Sequence, residues 1–80
     1  MDDFEVVRRI NELAAEEHRL EQAHAGEPLS DDEHERMRAL EVALDQCWDL
    51  LRQRRARRNA GADPDEAEVR SARTVEGYQQ

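Results

Sequence analysis

From Leu40 to Arg58 the chain reads Leu-Glu-Val-Ala-Leu-Asp-Gln-Cys-Trp-Asp-Leu-Leu-Arg-Gln-Arg-Arg-Ala-Arg-Arg, an apolar helical pattern that turns into a block of guanidinium groups. Neither glycine nor proline interrupts it, so the run predicts one continuous helix with a packing face and a charged tip. Met37, Leu40, Leu44, Cys47 and Leu51 recur at alternating steps of three and four, and Ala43, Trp48 and Leu50 widen the apolar arc to roughly 160°. One partner helix does not cover an arc of that width. The excess must be hidden by another copy of the chain or by its own C-terminal segment.

The limits of this helix are written in its flanks. Ser30-Asp31-Asp32-Glu33 has the form of a capping box, with the serine hydroxyl accepting from the third helical amide and Glu33 reaching back. At the other end Asn59-Ala60-Gly61 supplies a glycine able to take the left-handed closing conformation, so the helix is expected over 30–60. Upstream, Val6, Ile10, Leu13, Leu20 and His24 form a second, narrower stripe with Glu17 in its middle, and Asp2 or Asp3 suits the N-cap. That predicts a helix over 2–25. Gly26-Glu27-Pro28-Leu29 is too short a connection for anything but an antiparallel return.

The expected fold is therefore all-α, a single domain over 1–80 built as an antiparallel helical hairpin with a long second helix whose arginine tip overhangs the first. Asp63-Pro64-Asp65-Glu66 places proline just after a capping aspartate and predicts a short helix over 63–70. Residues 71–80 show no period and read as a tail, with Val75 and Tyr78 as the side chains able to dock it.

Composition bears on what this hairpin does alone. Eighty residues are near the lower limit for a self-sufficient core, and the one cysteine forms no internal disulfide. A homo-oligomer is expected, most simply a dimer that completes a four-helix bundle. The formal charge of −8 opposes nonspecific capture by nucleic acid or an anionic membrane, and no apolar stretch is long enough for a bilayer span or a signal peptide. A soluble cytoplasmic protein is the resulting expectation.

Four features invite a chemical reading. Arg52, Arg54, Arg55, Arg57 and Arg58 crowd the helix end, and either an acidic partner or a nucleic-acid backbone would complement them. The internal alternative is compensation by the helix C-terminus and by Asp2, Asp3 and Glu5, which the antiparallel return brings near. No interleaved aromatics are present to stack bases, which disfavours nucleic acid. Glu17, Glu21 and His24 stand at i, i+4 and i+7, and the Glu-x-x-His pair within them is a ligand pattern of carboxylate-bridged di-metal bundles. Its position at a helix end and the lack of a matching core pair on helix two argue for the plain alternative, in which Glu17 fixes register or snorkels and the histidines are surface side chains.

Cys47 has no adjacent histidine or lysine and reads as a small apolar side chain rather than a nucleophile. Trp48, at the edge of the arc, suits either contact with another chain or, with the tail folded over it, a core position within one hairpin. No catalytic constellation or phosphate loop is present, so the expectation is a protein without enzymatic activity or cofactor. It is read as an interaction module with Trp48, Leu50, Arg54, Arg55, Arg57 and Arg58 as candidate contact residues. Its partner is another copy or an unidentified protein.

The segment Leu44-Asp45-Gln46-Cys47-Trp48-Asp49-Leu50-Leu51, with Ile10-Asn11-Glu12-Leu13, Glu16-Glu17-His18-Arg19-Leu20, Asp63-Pro64 and Val75-Glu76-Gly77-Tyr78, resembles a small actinobacterial family catalogued as a domain of unknown function numbered twenty-six thirty. The likeness runs along nearly the whole chain. It implies a stand-alone cytoplasmic bacterial protein and assigns no activity, cofactor or site residue.

Overall fold

The computed structural model describes residues 2–23 and 26–78. Helix α1 (Asp3–Ala23) and helix α2 (Asp31–Asn59) form the expected antiparallel hairpin. A single 3₁₀ turn at Pro64–Glu66 and helix α3 (Ala72–Tyr78) follow, and no strand occurs among the described residues.

The starts of α1 and α2 and the end of α2 are satisfied by groups near in sequence. Asp2 caps α1 through its carboxylate, which accepts from the Glu5 amide at 2.8 Å. At α2 the capping box is complete, with Glu33 N–H donating to Ser30 Oγ at 3.3 Å and Ser30 N–H donating to Glu33 Oε1 at 3.0 Å. Gly61, at φ 76°, closes α2. The Ala62 amide reaches the Arg57 carbonyl at 2.8 Å and the Gly61 amide the Arg58 carbonyl at 3.1 Å, the paired closure of a Schellman motif.

The core lies along the seam. Val6, Ile10, Leu50 and Leu51 cluster, with Leu44, Cys47 and Ala67 packed against them, and Leu13, Leu40 and Val75 are also buried. On the far side of the turn, Glu16 and Arg36 tie α1 to α2.

Two expectations are corrected at the C-terminus. The helix expected over 63–70 is only the turn at Pro64–Glu66, and the segment expected as an aperiodic tail contains α3. After the turn the backbone extends through Arg70, where the Glu68 carbonyl accepts from Gln53 Nε2 at 2.7 Å and the Arg70 carbonyl from Gln46 Nε2 at 3.2 Å. Side chains of α2 thus supply hydrogen bonds that a helix would have made internally. Ser71 then starts α3, its hydroxyl accepting from the Thr74 amide at 3.2 Å. Seven residues are too few to show a helical period, but long enough to seat Val75 at 1% exposure.

The molecule is extended for its size. Its radius of gyration is 14.9 Å, against about 11.6 Å for a compact domain of this length, and its extents are 49 × 25 × 15 Å.

Candidate interaction surface

Two faces of α2 are occupied by its own chain. α1 covers the face bearing Leu40 and Leu51, whereas the turn, the extended segment and α3 clasp the face bearing Gln46, Asp49 and Gln53. Asp49, only 4% exposed, accepts from Gln53 Nε2 at 2.9 Å and pairs with Arg70 Nε at 3.5 Å. Sequence reading passed over Asp49, since an aspartate outside the apolar arc looks like a solvent position. Its signal was the Gln46/Asp49/Gln53 row, polar side chains at helical spacing that hydrogen-bond along one face.

Leu50 is corrected from a candidate contact residue to a core residue. It is 5% exposed within the chain's own core, because the clasp, with Ala67 against the cluster, hides that edge of the arc. Trp48, at the opposite edge, stays 46% exposed. On α1, Phe4 is 74% and Val7 40% exposed. The wide arc is thus covered on one side and open on the other.

The arginine block divides in the same way. Arg54 is buried at 5% exposure, its Nε 2.6 Å from Asp3 Oδ1 and its Nη1 3.0 Å from Asp65 Oδ1 and 3.2 Å from the Pro64 carbonyl. Arg58 reaches Asp3 Oδ2 at 2.6 Å and Arg57 reaches Glu66 at 3.4 Å. Hydrogen bonds from Arg58 and Arg54 hold the Asp3 carboxyl well below the ordinary carboxylate range, at about 2. The same contact, with Asp65, raises the affinity of Arg54 for its proton. The expected overhang is therefore wrapped by the start of α1 and by the Pro64–Glu66 turn. Arg52 and Arg55 are exposed and have no ion-pair partner among the described residues.

Of the metal candidates, Glu17 is half-buried and Glu21 exposed, while His24 lies outside the described residues. No three histidine, cysteine, aspartate or glutamate side chains converge on a point among the described residues. Cys47 is half-buried against the core, and burial pushes its thiol pKa up, opposed by nearby Arg9. A thiol so placed is a poor nucleophile at neutral pH. No described helix is long and apolar enough to cross a membrane.

Together these features define a small all-α protein, a helical hairpin held by a carboxylate–arginine node at one end and clasped by its own C-terminal segment. The chain belongs to the family described as protein of unknown function (DUF2630), whose model matches residues 2–80. It is 51% identical over 77 residues to an uncharacterised protein of Mycobacterium tuberculosis strain H37Rv and, to the same degree, to one of Mycobacterium bovis. Each alignment covers 95% of this chain and 88% of the relative. No solved structure matches the chain at a significant level.

Proposed function

We propose that this protein is a non-catalytic interaction module of the cytoplasm that associates with copies of itself, two hairpins forming a four-helix bundle. The observation that carries this reading is the open flank of α2, where Trp48 remains 46% exposed after the chain's own clasp has covered the opposite edge. The extended shape, with a radius of gyration of 14.9 Å, supports it, since an elongated hairpin hides less apolar surface than a compact domain.

Charge engagement favours a protein partner over nucleic acid. Arg54, Arg57 and Arg58 already spend their donors on carboxylates, and the net charge of −8 repels a polyanion. Sedimentation equilibrium from about 1 to 500 μM tests the proposal. A dimer within that range is the expected result, and a monomer throughout overturns it.

A further inference from the structure

A third face of α2, turned away from the faces that seat α1 and the clasp, carries a patterned stripe: Glu41, Asp45, Trp48, Arg52 and Arg55. At about 100° per residue these five positions fall within an arc of about 80°. Trp48 is 46% exposed, Glu41, Arg52 and Arg55 are exposed, and Asp45 is half-exposed. None of the four charged residues is in an ion pair among the described residues, although ion pairs fix charges on both sides of the hairpin.

The order of charge along the stripe has a symmetry. Both acids precede Trp48 and both arginines follow it. Glu41 and Arg55 each stand seven residues away, about 10 Å along the axis in opposite directions. We propose that the stripe is an isologous interface for a second copy of this chain, with the two α2 helices antiparallel and a two-fold axis passing at Trp48. In that register Glu41 faces Arg55 of the second copy, Asp45 comes within one residue of its Arg52, about 1.5 Å along the axis, and each pair occurs twice. The two indoles meet at the axis, where the pairs on either side shield them from water. A parallel arrangement sets arginine on arginine and acid on acid and is opposed electrostatically. Val7, 40% exposed, falls on the same flank of the hairpin by the helical register of α1, and widens the apolar centre.

This inference rests on the self-association proposed above, and the test separates the two. Glu41→Arg and Arg55→Glu are prepared separately in the full-length chain, with circular dichroism to verify unchanged helix content, and their association is followed by sedimentation equilibrium. Each variant alone is expected to dimerise about tenfold or more weakly than the unsubstituted chain, because like charges then face each other. Mixed in equal amounts they are expected to form a heterodimer, since every facing pair is again opposite in sign. The double variant is expected to recover self-association. Glu41 and Arg55 lie about 21 Å apart within one helix, so no intramolecular pair accounts for such recovery. Asp45→Arg and Arg52→Glu form an equivalent set should either first variant lose helix content. A dimer indifferent to the swaps overturns the antiparallel register and leaves self-association standing. A monomeric unsubstituted chain overturns both.

Discussion

Arg54 donates from Nε to Asp3 Oδ1 at 2.6 Å, joining the third residue of the chain to the last turns of α2. Because Arg58 holds the other oxygen of the same carboxylate at 2.6 Å, a single aspartate ties two turns of α2 to the start of α1. Arg54 in turn reaches forward to Pro64 and Asp65, so one guanidinium gathers the chain's beginning, its longest helix and the turn that begins the clasp. The planar fork of arginine makes this possible. Lysine, with one nitrogen, serves as a single point charge and does not reproduce it.

The node predicts an acid-sensitive component of stability. The Asp3 carboxyl sits at about 2 in the folded chain, against about 3.9 for an unfolded aspartate. A value depressed on folding gives stabilisation that is fully present above about pH 5 and is lost as pH falls through about 2. Asp3→Asn is expected to lower the urea midpoint at pH 7, with a difference from the unsubstituted chain that shrinks through this window and closes only towards about pH 1. Urea titrations of both chains at four pH values measure it.

The two ends of α2 should respond in characteristic ways. Ser30→Ala removes the hydroxyl acceptor of the capping box and is expected to cost about 1 kcal/mol. Gly61→Ala is expected to cost about 1 kcal/mol through its φ of 76° alone, since a methyl group there meets nothing within 4 Å. Gly61→Asn should cost less, because asparagine tolerates the left-handed region. Denaturant unfolding of the three variants separates a lost hydrogen bond from backbone strain.

Features with local causes were the legible ones. Ser30 and Glu33 lie three residues apart, and Gly61 ends an apolar run, so caps and helix limits could be read from neighbours in sequence. The pairing of Asp3 with the arginine block was legible too, because a short turn at Gly26–Leu29 dictates which helix ends meet. Leu50 was misplaced for the opposite reason. Its cover comes from the segment around Ala67, and no periodicity announces an extended segment whose carbonyls are satisfied by Gln46 and Gln53. Trp48 and Leu50 look alike in sequence, as opposite edges of one apolar arc, and only the path of the clasp distinguishes the buried edge from the open one.

Asp49 should control whether that clasp stays closed. Its carboxylate is 4% exposed and holds both Gln53 and Arg70. Asp49→Ala strips a buried acceptor from two donors, and a change of that kind costs about 1–3 kcal/mol. The loss is expected to be local. Hydrogen exchange should quicken in α3 and in the extended segment before it, while amides of α1 and the first half of α2 keep their protection. Uniform loss of protection along the chain would count against a separable clasp.

A contrast between Leu40 and Trp48 distinguishes the inside of the hairpin from its open flank. Leu40 is 1% exposed, so Leu40→Ala leaves a cavity and is expected to destabilise the fold by about 2–5 kcal/mol. Trp48 is 46% exposed and contributes much less to the folded single chain. Trp48→Ala should therefore leave helix content nearly intact while weakening association about tenfold or more, as expected for an aromatic anchor at the centre of an interface. Trp48 is also the only tryptophan, so its fluorescence reports on this position alone. On concentrating the unsubstituted chain, emission should shift to the blue as the indole leaves water. The shift should vanish in Glu41→Arg at concentrations where that variant is monomeric. Emission that is constant across the dimerisation range would place the contact between copies on another face.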